Sequence, residues 1–485
     1  MVHFVICPLF SPPVGPLLLS QHLHSLYKEG KCTRNRKHLS LSTSVTNFCA
    51  VLNWNINMSR IRVAVIGAGP AGLCAARHLV DDSHHFEFKV FEQWGEVGGT
   101  WCYTDLTDID EYGVPIHSSM YKSLKTNIPK EIMPFPDFPF HETEESFVHH
   151  TAVLRYLKEY AQHYGLYEHI RLRTAVKKVS PIGSNKGRTL WSVVTEDVET
   201  KKQEELEFDA VMVCNGHYSV PYIPEIEGIE KFEGLIQHSK AYRSAEAYRN
   251  LRVVVLGAAS SGMDIAVEVA AVANQVYISH NLRESLMYLP PNVKQVPGIK
   301  AASIDGFTFL DDSSEKADAL IYCTGYKFDF PFLTPECKVR IEGRRVMPLY
   351  KHLIHTELPT LCFVGLPFKV LPFPLFHFQI QYFMRTLDGS ISLPSKDEMD
   401  EETERDFQKR LALDMPPTYA HQMGSMQWDY FAELADCLGI KRLPPVVRMV
   451  YDYVADRRKE DMMHYKTESY TLLDHGHFAR NQVSP

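Results

Sequence analysis

The 485-residue chain carries ten cysteines but no C-x-x-C pair, so neither a zinc ribbon nor a dithiol redox centre finds its ligands at the usual spacing. Cys7, Cys32, Cys49, Cys74, Cys102, Cys214, Cys323, Cys337, Cys362 and Cys437 therefore read as reduced thiols of a reducing compartment, which points to the cytoplasm. Peripheral attachment to the endoplasmic reticulum and secretion are the alternatives. No uninterrupted apolar run reaches the length of about 18 residues that a spanning helix needs. Low-complexity tracts and repeats of fixed period are also missing, which sets aside fibrous and disordered classes. A net charge of -8 over this length offers no basic field for nucleic acid and no polybasic run for an anionic membrane. A small-molecule partner remains. No Ser/His/Asp group, paired carboxylates or metal-ligand cluster stands out, so no metal is expected.

What is there is ordinary for a globular protein: 45% hydrophobic, 23% charged and 11% aromatic, over a length that suits two or three domains. Residues 1–57 differ from the rest. Pro8, Pro12, Pro13 and Pro16 interrupt an apolar start, and a basic stretch from Lys28 to Lys37 follows without periodicity. No positive region precedes Val2 to Leu19, so a secretory signal is poorly formed. Met58 stands directly before Ser59-Arg60-Ile61-Arg62-Val63-Ala64-Val65-Ile66, the pattern of a first buried strand. Residues 1–57 are accordingly expected to be an N-terminal extension outside the fold.

From Arg60 onward the pattern is α/β, with short Val/Ile-rich runs bounded by glycine and followed by helical stretches, as a parallel sheet covered on both faces requires. Strands are expected at Val63 to Ile66, Lys89 to Phe91, Ala210 to Cys214, Val253 to Leu256, Val276 to Ser279 and Ala319 to Cys323. Gly67-Ala68-Gly69-Pro70-Ala71-Gly72 follows the first strand and opens the helical run Leu73 to Leu79. In that context the first glycine makes a tight turn, the second lets a pyrophosphate approach backbone, and the third packs helix on strand. The helix N-terminus adds N–H groups and partial positive charge. Glu92, twenty residues after Gly72, ends the second strand where ribose hydroxyls are expected.

A second loop, Gly257-Ala258-Ala259-Ser260-Ser261-Gly262, follows Val253 to Leu256 and opens Met263 to Ala273. Ala259 occupies the second-glycine position, where its methyl crowds a pyrophosphate slightly. The paired strand ends in Ser279-His280 rather than an acid, with Arg283 three residues on, which favours the 2'-phosphate of NADP over NAD. Two such loops in one chain suit a resident flavin and a separate hydride donor.

Read in order, the motifs resemble those of the flavin-containing monooxygenases, and most closely their shorter, soluble members such as those of insects and yeast. Gly67, Gly69, Pro70, Ala71 and Gly72 resemble that family's FAD fingerprint, and Gly98-Gly99-Thr100-Trp101 its flavin-side G-G-x-W element. Leu124-Lys125-Thr126-Asn127-Ile128-Pro129-Lys130 resembles the segment that brings an asparagine to the flavin. Phe232, Gly234, His238 and Tyr242 resemble the identifying F-x-G-x-x-x-H-x-x-x-F/Y sequence, and Cys323-Thr324-Gly325-Tyr326 the A-T-G-Y turn that returns from the NADP domain. The similarity runs from about Arg60 to about Leu443, with Ala259 and Cys323 as departures.

The resemblance implies two Rossmann-like dinucleotide-binding domains, the NADP domain inserted into the FAD domain. The boundaries it suggests are 58–222 and 325–445 for the FAD-binding parts, 223–324 for the NADP-binding domain and 446–485 for a C-terminal tail. It also implies that NADPH reduces FAD, that dioxygen then gives a flavin C4a-hydroperoxide, and that a soft nitrogen or sulfur atom of a small substrate attacks it. That mechanism accounts for the missing acid/base constellation, since the protein's main task is to keep water from the oxygenated flavin. Asn127 is the residue the resemblance places beside the flavin and NADP. A homodimer is compatible with the sequence, which leaves the oligomeric state open. Trp101 reads either as a cofactor-lining ring or as a core aromatic, and the aromatic stretch Phe368 to Phe383 either as core or as channel lining. His238 and Tyr242 read as structural. A Baeyer-Villiger enzyme is the nearest alternative, but its motif ends in tryptophan where Tyr242 stands. A disulfide reductase lacks its cysteine pair here, and a flavoprotein kept only as an interaction scaffold is the non-enzymatic alternative.

Overall fold

Ile61–Ile66 is buried along nearly its whole length, because its alternate residues face two different cores. Val63 and Val65 join the helix-covered core, whereas Ala64 and Ile66 join the core beneath an antiparallel sheet. Such two-sided burial is what a central parallel strand needs. The computed structural model describes residues 60–141, 145–282, 286 and 288–482. Residues 1–57 and Arg283 lie outside the described residues.

The strands used below are β1 (Ile61–Ile66), β2 (Phe86–Phe91), β3 (Ala210–Val213), β4 (Leu235–His238), β5 (Arg252–Leu256), β6 (Gln275–Ser279), β7 (Val293–Val296) and β8 (Ala319–Tyr322). The helices are α1 (Pro70–Asp81), α2 (His150–His163), α3 (Ser260–Ala270), α4 (Pro372–Leu387) and α5 (Pro445–Glu460). In the first, seven-stranded sheet, β1 lies between β2 and β3, parallel to both, and Leu361–Phe363 extends it beside β3. The second sheet is wholly parallel, in the order β7-β6-β5-β8-β4. Both are Rossmann-like arrangements, and each places a glycine loop at the carboxyl end of its central strand.

The two units repeat one another in detail. Arg62, at the start of β1, donates from Nε and Nη2 to Asp209 at 3.1 Å each, and Arg252, at the start of β5, does the same to Asp318 at 3.0 and 2.7 Å. Each aspartate also accepts the backbone N–H of its arginine. A bidentate pair of this kind sets the register between the first and third strands of its unit. Arg62, Gly67 and Gly72 correspond to Arg252, Gly257 and Gly262, and Asp209 and Cys214 to Asp318 and Cys323.

The chain leaves the first sheet after Val213, builds the second sheet, and returns after Tyr322 to add Leu349–Tyr350, Ile354–His355 and Leu361–Phe363 to the first. Its outward and return crossings pair with one another: Val220–Pro221 runs antiparallel to Tyr326–Lys327. The proline-rich aromatic stretch becomes α4, whose Phe373, Phe378 and Phe383 are core residues. Residues 446–485, expected as a tail, depart from that reading. Val446, Val450 and Val454 of α5 fall at helical spacing on one buried face, and the hairpin Glu468–Leu472/Phe478–Gln482 follows. Tyr465 and Tyr470 are core residues as well. The polar composition at this end hid a helix that buries a single stripe.

Candidate functional site

The first glycine loop is shaped by close backbone approaches. Gly67, with φ +101°, would place a Cβ 2.7 Å from the Cys214 carbonyl oxygen, and a Cβ on Gly72 would lie 1.8 Å from the Gly67 oxygen. Neither position accepts a side chain. Gly69 is the N-cap of α1 and packs back to back with Gly99, where an added Cβ would sit 2.8 Å from the Gly69 Cα. Pro70 fills the first helical position, Ala71 is buried, and no side chain caps the helix and no acid stands in its first turn. The N–H groups at this end are thus left for an anion.

Glu92 is buried and already engaged: Oε2 accepts the Ala68 N–H at 2.7 Å and Oε1 that of Trp94 at 2.8 Å. It therefore shapes the loop. Gly98, Gly99, Thr100 and Trp101 form a tight turn over the loop, tied by the Gly98 N–H to the Ala68 oxygen at 3.0 Å. His117 Nε2 lies 2.9 Å from the Gly99 oxygen, so it is the donor. His117 Nδ1 and Thr100 Oγ1 are both buried without a protein partner. Unpartnered polar atoms beside an uncapped helix and a cradle that side chains would fill fit FAD. Trp101 is half-buried and packs against the main core.

The second loop repeats the geometry. A Cβ on Gly257 (φ +112°) would meet the Cys323 oxygen at 2.5 Å, and one on Gly262 the Gly257 oxygen at 1.9 Å. Ala259 caps α3 in an extended conformation that any residue adopts, and again there is no side-chain cap and no first-turn acid. Ser260 and Ser261 are exposed there, and Arg458 of α5 donates to Ser260 Oγ at 3.1 Å. That cation, 198 residues away in the chain, was not visible in the motif. His280 takes the place that Glu92 has in the first unit, and its Nδ1 accepts the Leu282 N–H. Its Nε2 lies 3.2 Å from Gln295 Oε1, so both ring nitrogens are engaged, and no carboxylate stands at this position to repel a phosphate.

Thr324, Gly325 and Tyr326 lock the crossing: Thr324 Oγ1 donates to the Tyr222 oxygen and Tyr222 N–H to the Gly325 oxygen. His238 Nε2 lies 3.1 Å from that same Gly325 oxygen, and Tyr242 is fully buried with its ring 5.7 Å from that of Tyr121. Both thus act as structural residues at the junction. Cys214 and Cys323 are buried free thiols, and burial pushes the Cys323 thiol up to about 12, so neither serves as a nucleophile. The one group of potential metal ligands among the described residues is a surface trio, Asp82, His85 and Asp388, in which Asp82 and His85 already bond at 2.6 Å.

Burial lowers His217, His238 and His355 from the ordinary 6.5 to about 4. Because the folded values are depressed, the unfolded chain binds more protons between those limits. The stability these residues contribute is complete above about pH 6.5 and declines as pH falls towards about 4. Thermal melting should therefore drop steadily on acidification through that window. A flat melting temperature would show that these imidazoles are protonated in the fold.

Asn127 sits where the two units meet. The Thr126 N–H donates to the Val148 oxygen at 2.9 Å, and the Tyr465 hydroxyl to Asn127 Oδ1 at 3.1 Å. Asp264 of α3 accepts from Tyr121 at 3.0 Å and from Lys466 at 2.8 Å, while Lys466 also donates to the Lys125 oxygen. The asparagine segment, the C-terminal region and the second glycine-loop helix are thereby joined. Arg458, Tyr465 and Lys466 lie beyond the stretch in which sequence motifs could be recognised.

The model of the family described as flavin-binding monooxygenase-like matches residues 60–289 and 284–454. "Flavin-containing monooxygenase FMO GS-OX-like 4" of Arabidopsis thaliana is 39% identical over 396 residues, 78% of this chain and 87% of that protein. The solved S-allyl-L-cysteine S-oxygenase of Allium sativum is 35% identical with a TM-score of 0.78, covering 84% of this chain and 95% of its own. Tmm from Pelagibacter sp. strain HTCC7211 follows at 28% identity and TM-score 0.75, covering 84% and 93%. Among the described residues no helix is long and apolar enough to cross a membrane. With two dinucleotide cradles, an asparagine held at their junction and this match along most of its length, the chain belongs to the flavin-binding monooxygenase-like family and is an FAD- and NADP-dependent monooxygenase.

Proposed function

We propose that this enzyme uses NADPH and dioxygen to place one oxygen atom on the sulfur of a small thioether, the nitrogen of a soft amine being the second substrate class. The observation that carries the reading is the pair of glycine loops at uncapped helix N-termini, with Asn127 held by the Tyr465 hydroxyl and its segment linked through Lys466 to Asp264 of the second loop's helix. The choice of sulfur is supported by the S-oxygenase of Allium sativum, 35% identical to this chain.

In this reading the N–H groups before Pro70 and Ala71 hold the FAD diphosphate, with Gly67, Gly69 and Gly72 giving it room and Glu92 taking the ribose. Gly99, Thr100 and Trp101 border the flavin. Gly257, Ala259, Ser260, Ser261 and Gly262 receive the NADPH diphosphate, and Arg283 is proposed as the 2'-phosphate partner. Thr324, Gly325 and Tyr326 keep the second unit in place on its crossing. Bound FAD would supply hydride acceptance and oxygen activation, which the protein's side chains cannot provide. Asn127 donates a hydrogen bond at the reacting face, and the packed junction keeps water away. Domain boundaries near residues 222 and 324 are proposed because Val220–Pro221 and Tyr326–Lys327 pair there. Thioether, NADPH, a proton and dioxygen give sulfoxide, NADP and water. The thioether attacks through its own lone pair, so no side chain has to serve as general base.

The test is NADPH consumption with methyl p-tolyl sulfide, a tertiary amine or cyclohexanone. Sulfoxide is expected in near-equal amount to the NADPH oxidised. Lactone from the ketone would favour the Baeyer-Villiger alternative, NADPH oxidation with no organic product would leave an oxidase, and no NADPH oxidation at all would leave a scaffold.

A further inference from the structure

We propose that Tyr465 is a positioning residue for the site: its hydroxyl occupies Asn127 Oδ1 and so leaves the amide NH2 as the end that faces the cofactor chemistry. The inference rests on the monooxygenase reading above and adds to it the residue that sets the asparagine's orientation.

An asparagine amide presents an acceptor on one side and two donors on the other, and the partner it finds decides which end is free. Among the described residues, Tyr465 supplies the one side-chain hydrogen bond that Asn127 makes, at 3.1 Å. Tyr465 is 1% exposed, and Asn127 Oδ1 is the acceptor its hydroxyl finds. Turning the amide over would strand a buried hydroxyl proton, so the pair favours one orientation. Burial also holds the phenol well above its ordinary range, so it keeps its proton at any assay pH.

Both partners are anchored independently of that bond. The Tyr465 ring meets Phe147 edge-on at 5.3 Å, and the next residue, Lys466, grips the Lys125 oxygen and Asp264. Tyr470 N–H donates to Ser146 Oγ at 2.8 Å, beside the Val148 oxygen that holds Thr126. Residues 465–470 are thereby fixed to the segment from Lys125 to Ser146 that carries Asn127, and the Tyr465 hydroxyl is the atom that addresses its amide.

Tyr465→Phe in the full-length holoenzyme removes that atom and keeps the ring. FAD content and the rate of flavin reduction by NADPH should stay at wild-type values, and the melting temperature should fall by no more than a few degrees. Hydrogen exchange at residues 124–128 should rise, and hydrogen peroxide released per NADPH should increase on the order of tenfold, the effect of one neutral hydrogen bond. In a double-variant cycle, Tyr465→Phe should add nothing to Asn127→Ser. Asn127→Asp gives a second test that leaves Tyr465 untouched: it keeps an acceptor for the hydroxyl but has no NH2, so it should fold, bind FAD and release peroxide. Wild-type coupling in either Tyr465→Phe or Asn127→Asp, or additive losses in the cycle, would overturn the proposal. Peroxide per NADPH is read with methyl p-tolyl sulfide present; failure of the wild type to make sulfoxide would instead count against the monooxygenase reading, since hydrogen exchange at residues 124–128 is measured without substrate.

Discussion

Gly69→Asp is expected to yield a folded protein without flavin, colourless where the wild type is yellow. Gly69 is the N-cap of α1, a helix with no side-chain cap. Aspartate is among the best N-cap residues, so the substituted carboxylate would satisfy the N–H groups that the FAD diphosphate otherwise takes. It would also bring a negative charge against a diphosphate. For unit charges about 4 Å apart near a protein surface the repulsion is about 4 kcal/mol, or about a thousandfold in affinity. Sterically the change is tolerable, because a Cβ at Gly69 would lie 3.4 Å from the Gly99 Cα. Gly69→Ala, with bulk but no charge, should retain part of its FAD. Gly72→Ala should fail differently, since its Cβ would fall 1.8 Å from the Gly67 oxygen and the strand–helix junction cannot close. The ratio of flavin to protein absorbance, with circular dichroism, separates these outcomes. Full flavin content in Gly69→Asp would remove the first loop as the FAD site.

Asn127→Ser should keep FAD and NADPH reduction and lose the product. Reduction depends on the nicotinamide reaching the flavin, whereas oxygen transfer depends on a hydrogen-bond donor held in a site closed to water. Serine is too short to meet Tyr465 where the Asn127 oxygen does at 3.1 Å, so both the donor and its anchor go. Loss of one such bond costs about 1 to 3 kcal/mol, enough for the activated oxygen to leave as hydrogen peroxide before a thioether reaches it. NADPH oxidation should continue while sulfoxide falls to a small fraction of the NADPH used. If sulfoxide still accounts for nearly all of it, Asn127 serves packing alone.

The strands and both glycine loops were legible in the sequence. Every expected strand formed, with ends displaced by three residues or fewer, as for Lys89 to Phe91 within Phe86–Phe91. The helix Met263 to Ala273 begins earlier, at Ser260, and stops at Ala270, since no strong breaker marks either end in the sequence. The buried aromatic helix from Pro372 to Leu387 left two readings open, because all-round hydrophobicity carries no period that tells core from channel. The C-terminal region was misread as a tail for the opposite reason: Val446, Val450 and Val454 make a stripe narrow enough to be lost among charges.

What the sequence determined by itself was everything that a contiguous strand, turn and helix can encode: two nucleotide cradles, their order, and the family they belong to. Those features are local, so their residues sit at invariant short spacings whatever the rest of the chain does. Tertiary structure alone decided which atoms meet at the junction. It engaged Glu92 with the Ala68 backbone, brought Arg458 to Ser260, and set Tyr465 against Asn127 across 338 residues of chain. Contacts of that range arise from packing two sheets and a C-terminal helix together, and such packing leaves no period, spacing or motif in the residues that make it.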